Sequence, residues 1–245
     1  MSTKLKIAAA VAAAVLLSAC SSPKHEPMPL VKFTPSMEVT EVWSKGLSSA
    51  EGFLVPAVYD DMVFAAGGKT LTRLNARTGE TEWSVSFNSP ITGGVGSDGY
   101  VTAVGLWDGN LEVVDAEGKV SWEKKLTTEL ASPPVVSHGL VIARTMDTRV
   151  SAFEASSGEL QWTYQRSQPA LTVRLPTRML AHDNFLLVGQ PNGHIVILDI
   201  ASGKPMFEFQ VAQAKGVTEV ERLVDVVGAP AFSDNLVCAA AFQGA

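Results

Sequence analysis

Short runs of alternating apolar and polar residues fill the chain from about residue 55 onward, and turn signals separate them. No stretch sustains the period of a helix. The first full unit shows the pattern. "VPAVYD" reads as a strand, Asp60-Asp61 as a turn and "MVFAAGG" as a second strand. "TLTRLNA" is a third strand, "RTG" a turn and "ETEWSVSF" a fourth. The unit returns as "GGVGSDGYVTAVG" with "NLEVVDAEGKVSWEKKL", then as "PPVVSHGLVIAR" with "RVSAFEASSGELQWTYQR", then as "RMLAHDNFLLVGQ" with "HIVILDIASGKPMFEFQ". A fifth copy opens at "APAFSDNLVCAAAFQG".

The copies share a phase. Trp83, Trp122, Trp162 and Phe207 recur roughly every 40 residues, each preceded at the same short distance by a glycine: Gly79, Gly118, Gly158 and Gly203. Leu71, Leu111, Val150 and Ile195 fill one core-facing position of the third strand, and Leu74, Val114, Phe153 and Leu198 another. Asn75, Asp115, Glu154 and Asp199 open the turn that follows, where a short polar side chain bonds downstream amides and the glycine supplies positive φ. The aromatic is then placed to pack across the neighbouring unit. Four short strands per repeat of ~40 residues describe an all-β protein, a β-propeller of four-stranded antiparallel blades, of which this chain covers four to five. Trp43 keeps the same phase, so residues 38–47 are expected to form one further strand, completing a blade whose other strands lie elsewhere.

Composition narrows the partners. The chain has 245 residues, 46% apolar, ample for a core, and a formal net charge of −6, which argues against nucleic acid as a partner. Its two cysteines differ in setting. Cys238, between Val237 and Ala239, reads as a small buried hydrophobe. Cys20 ends "MSTKLKIAAAVAAAVLLSAC": a basic start, an apolar stretch too short to span a bilayer, and Leu17-Ser18-Ala19-Cys20, the form of a bacterial lipoprotein cleavage box. The expectation is a signal peptide over 1–19, a lipidated Cys20 with a proline-rich tether over 20–36, and a propeller over 37–245. Ser21 after the Cys points to the periplasmic face of the outer membrane.

No catalytic constellation is legible. His138 and His182 fall in hairpin turns, and HExxH, GxSxG and CxxC are absent from the sequence. "GGVGSDG" opens no helix and reads as no phosphate cradle. No cofactor or metal set is read. Loop length stands out instead. The connections after Trp162 and Phe207 are longer than those after Trp83 and Trp122. They are adjacent and equivalent, so they share one face of the blades, where binding residues gather. The first holds Leu171 and Val173 among Arg166, Arg174 and Arg178; the second holds Glu219, Glu221 and Asp225. Apolar residues flanked by charge form a protein-docking patch.

The lipoprotein box, the tether, the repeat and above all "PALTVR" (169–174) and "TEVERLVDV" (218–226) resemble the lipoprotein β-propeller subunit of the bacterial outer-membrane β-barrel assembly machinery. The resemblance implies an eight-bladed, non-enzymatic scaffold that binds the POTRA domains of the central barrel subunit. It also implies an anchor in the inner leaflet of the outer membrane and leaves unfolded outer-membrane proteins as a further partner class. It carries partner contact onto Leu171, Val173, Arg174 and Asp225; where the family has a second Asp two residues on, this chain has Val227. Quinone-dependent periplasmic dehydrogenases share the repeat and are the alternative. Their calcium site, catalytic Asp and vicinal cysteines are not legible here.

Overall fold

The computed structural model describes residues 30–31, 34–48, 54–167, 169–173, 175, 177–233 and 236–243. The chain divides into two units, Met1–Thr40 and Glu41–Ala245. The described residues of the first are exposed and form neither strand nor helix. The described residues of the second form five antiparallel sheets, each ordered as the chain runs.

Blade 1 comprises β1 (Ala57–Tyr59), β2 (Met62–Gly67), β3 (Thr70–Asn75) and β4 (Thr81–Ser86). Blade 2 comprises β5 (Ile91–Ser97), β6 (Thr102–Leu106), β7 (Asn110–Val114) and β8 (Val120–Lys125). Blade 3 is β9 (Val135–Ser137), β10 (Leu140–Arg144), β11 (Val150–Glu154) and β12 (Leu160–Tyr164). Blade 4 is β13 (Leu180–His182), β14 (Phe185–Gln190), β15 (His194–Asp199) and β16 (Pro205–Gln210). A hairpin of β17 (Val226–Ser233) and β18 (Leu236–Ala241) follows. The expected propeller architecture and its strands are present. In every blade the third and fourth strands slip register at one equivalent place, beside Leu74, Val114, Phe153 and Leu198, a bulge that adds twist.

Both expected core positions are buried in all four blades. Alternation sends their neighbours to opposite faces, so each sheet contributes to two seams. Phe64, Leu71, Val104 and Val114 meet between blades 1 and 2; Leu111, Val113, Val141 and Phe153 between blades 2 and 3; Ile142, Val150, Leu186 and Leu198 between blades 3 and 4.

The recurring glycine and aromatic close these seams. Trp83 Nε1 donates to the Ala116 carbonyl at 2.9 Å, Trp122 to Ala155 at 2.8 Å and Trp162 to Ile200 at 2.8 Å. Each indole lies on the turn glycine of the next blade. A Cβ there would sit 2.7 Å from the Trp83 ring at Gly118, 2.8 Å from Trp122 at Gly158 and 2.4 Å from Trp162 at Gly203. Those glycines also have positive φ, so conformation and space both demand Gly. Asn75, Asp115 and Asp199 cap their turns through Oδ1, as their side-chain length predicts.

Two expectations are corrected. Residues 38–47 form no strand, because no strand pairs with them among the described residues; yet Trp43 makes the same latch, donating to the Ala76 carbonyl at 2.9 Å over Gly79. Cys238 is exposed rather than buried. It lies on the outer strand of a two-stranded sheet, with no third strand beside it among the described residues.

Candidate docking site

Among the described residues no three His, Cys, Asp or Glu side chains gather to hold a metal ion. The feature the topology builds is the meeting of the two long connections. Residues 165–179 link β12 to β13, and residues 211–225 link β16 to β17. Val173 N–H donates to Asp225 Oδ2 at 2.6 Å across 52 residues of sequence. Asn192 N–H, from the turn before β15, approaches Oδ1 at 3.4 Å. The first connection is then stitched to the start of β17: Thr177 bridges Gly228 in parallel, and Arg178 N–H donates to the Gly228 carbonyl at 3.0 Å.

Beneath this junction lies a cavity of about 180 Å³, bordered by Arg144, Thr148, Val173, Thr177, Asp225 and Val227. Arg144, the last residue of β10, is only 5% exposed. Burial pulls its guanidinium down to about 10, and the Asp225 carboxylate opposes that pull. Its Nη1 donates to Thr177 Oγ1 at 3.2 Å, and that hydroxyl in turn donates to the Ala131 carbonyl at 3.4 Å. Thr148 is buried with φ of 63°, a left-handed conformation costly for a β-branched residue. In blades 1 and 2 the β2–β3 and β6–β7 turns place Gly68 and Gly109 in that conformation instead.

The fold brings Leu171, Val173 and Asp225 into one place. Leu171 is 42% exposed, Val173 is half-buried, and Asp225 is 6% exposed with its carboxylate turned onto backbone amides. Arg174 and Cys20 lie outside the described residues. Of the other charges on these connections, Arg166 is paired with Glu208 on β16, and Glu221 caps its own turn by accepting from the Val217 and Thr218 amides, both at 3.0 Å. Glu219 is exposed. Exposed apolar neighbours that loop length and charge do not single out stand on the same loops, namely Leu175, Val217 and Val220. Their signal was present, since each is an apolar residue in a connection too irregular to bury it. Arg144, Thr148 and Thr177 carry no such signal, since their sequence context is ordinary.

Blades with indole latches and two clasped long loops define the class: a β-propeller with quinoprotein-type repeats and a loop-built surface on one side. A family model described as outer membrane protein assembly factor BamB matches residues 67–245, and the chain belongs to that family. It is 39% identical over 242 residues to the outer membrane protein assembly factor BamB of Burkholderia pseudomallei, covering 96% of this chain and 64% of that protein. The crystal structure of BamB from Moraxella catarrhalis superposes with a TM-score of 0.71 at 29% identity, over 78% of this chain and 59% of that one. A quinohaemoprotein alcohol dehydrogenase from Pseudomonas putida gives a TM-score of 0.53 at 15% identity, which shows the shared fold alone. The chain spans less than two thirds of the length of the curated relatives it matches.

Proposed function

We propose that the chain is a non-enzymatic scaffold of outer-membrane protein assembly that docks the POTRA domains of the central barrel subunit through residues 165–179 and 211–225. Unfolded outer-membrane proteins are a second partner class. In this reading residues 1–19 are a signal peptide, Cys20 carries the lipid, residues 20–36 are the tether and residues 37–245 the propeller. The protein then sits at the periplasmic face of the outer membrane, held in its inner leaflet.

The observation that supports docking most is the pinned loop. Leu171 projects 42% exposed from a segment whose neighbour Val173 is tied to Asp225. A rigidly presented apolar side chain binds with less entropy to lose. Burying Leu171 contributes roughly 1.5–3 kcal/mol. Leu171→Ala together with Arg174→Ala should therefore weaken capture by the POTRA domains by about one to two decades. Unchanged capture by that double variant would refute the assignment. The anchor is tested separately: Cys20→Ala should abolish palmitate labelling and outer-membrane fractionation, and label retained on the variant would remove the lipid from the proposal.

A further inference from the structure

We infer that Asp225, Arg144, Thr148 and Thr177 are positioning residues, a buried clasp that holds the docking loop in shape without touching the partner. The inference rests on the docking reading and assigns the work within that site.

Four observations carry it. Asp225 is buried, and its Oδ2 is spent on the Val173 amide at 2.6 Å, so little of the carboxylate remains for a partner. Arg144 is equally buried and holds Thr177 through Nη1, anchoring the far end of the same loop to blade 3. Thr148 reaches the near end, its hydroxyl 3.5 Å from the Arg166 carbonyl, and it does so from a left-handed conformation. The loop is thus fixed at its start, middle and end by side chains from blade 3 and from the approach to β17. These four side chains border or face one cavity of about 180 Å³. Strain of this kind persists only where the surroundings hold it, and it gathers where geometry matters for function. An exposed backbone segment with few apolar contacts of its own would otherwise open locally at little cost.

The clasp and a direct acidic contact differ in what they move. A carboxylate facing a partner cation adds to the ionic-strength dependence of capture. A buried clasp leaves that slope alone and acts through the loop. The first measurement is amide hydrogen exchange on the full chain without partner. The Val173 amide should be protected in the wild type and exchange at least tenfold faster in Asp225→Ala, while the amides of Leu71 and Leu111 keep their rates. Val173 exchanging at the unstructured rate in the wild type overturns the clasp, with no variant needed.

The second measurement is capture by the POTRA domains at two salt concentrations. Asp225→Ala and Arg144→Met should each weaken capture about tenfold with the salt slope unchanged. Thr148→Gly removes both the hydroxyl and the strain, so capture should fall severalfold while the thermal midpoint does not fall, a split that a merely stabilising residue would not give. Full capture by Asp225→Ala and Arg144→Met, with Leu171→Ala defective, overturns the clasp and leaves the docking reading standing. A flattened salt slope in Asp225→Ala makes Asp225 a direct contact and also overturns it. Full capture by Leu171→Ala counts against the docking reading alone, and the exchange rates still judge the clasp.

Discussion

Trp162 and Phe207 occupy the same position in successive blades, on the fourth strands β12 and β16. Trp162 is 9% exposed, bonded to the Ile200 carbonyl and pressed on Gly203. Phe207 is 57% exposed; no glycine turn packs on its ring among the described residues. The ring lies near Phe209 instead, 6.4 Å between centroids, along an apolar groove of about 440 Å³ that includes Phe185 and Phe232. The cores differ in the same sense. The seam between blades 3 and 4 gathers one face from each of two complete sheets, whereas blade 4 meets the hairpin through Leu187, Ile195 and Val226. An aromatic at this position therefore does not bury itself. It needs a turn with no Cβ to lie on and a carbonyl to receive its N–H, and the next blade supplies both.

The largest expected effect breaks the comparison outright. Trp162→Ala should cost about 3–5 kcal/mol, since it opens a cavity in a full seam and leaves the Ile200 carbonyl without its donor. Phe207→Ala should cost less than about 1 kcal/mol, because the ring is already half in water. Urea midpoints of the two variants test this; equal losses would mean that the seams are equivalent in energy.

The second prediction separates space from conformation. Gly158 has φ of 71° with the Trp122 ring 2.8 Å from a would-be Cβ, while Gly139 has the same φ of 71° and nothing within 4 Å. Gly139→Ala should cost about 1–2 kcal/mol for the left-handed backbone. Gly158→Ala should exceed it by about 1–3 kcal/mol, the cost of displacing the indole from a packed seam. Matching denaturation midpoints would show that the indole yields freely.

The third concerns the seam between blades 1 and 2. Glu112 pairs with Val104, one of that seam's buried residues, and directly opposite it on β8 stands Glu123. Blade 1 fills the equivalent slot with Thr72 and Ser84, whose hydroxyls bond at 2.8 Å. Burial first, then Glu123 through charge and a shared hydrogen bond, then Asp108, raise the Glu112 carboxyl to about 7. The native state thus holds a proton that the unfolded chain releases. The cost of this one group is absent below about 4.5, grows as pH rises, and is complete above about 7. Glu112→Gln should leave stability unchanged at pH 4 and raise it by roughly 2–3 kcal/mol at pH 8. A gain of the same size at pH 4 would trace the effect to packing rather than to the proton.

The smallest effect sharpens the unlatched seam. Phe207→Lys should leave the unfolding free energy read from urea titration within about 0.5 kcal/mol of the wild type, as for a surface substitution. It should also dim the fluorescence of an apolar dye bound along Phe207 and Phe209. Undiminished dye binding would place the exposed apolar surface elsewhere.

Much of this molecule was legible in the chain because its rules are local. Alternation set the strands and both core positions, Asn and Asp marked the turns, and the interval from glycine to aromatic fixed the blade. Even Trp43 was placed in phase, although the strand expected around it did not form, since a strand needs a partner that periodicity cannot provide. Leu171, Val173 and Asp225 were named from loop length and composition. How Asp225 is used was not legible: its carboxylate serves an amide 52 residues away, and nothing in either segment announces the bond. Arg144 and Thr148 have ordinary neighbours in sequence, and only the stacking of blade 3 on blade 4 brings them under the loop. Cys238 read as core and is exposed, because burial belongs to what packs over a residue and not to the residue. Sequence by itself determined the repeating element and its latch, which depend on spacing; tertiary structure alone decided which faces are covered and which distant groups share a cavity, since those depend on neighbours that spacing does not name.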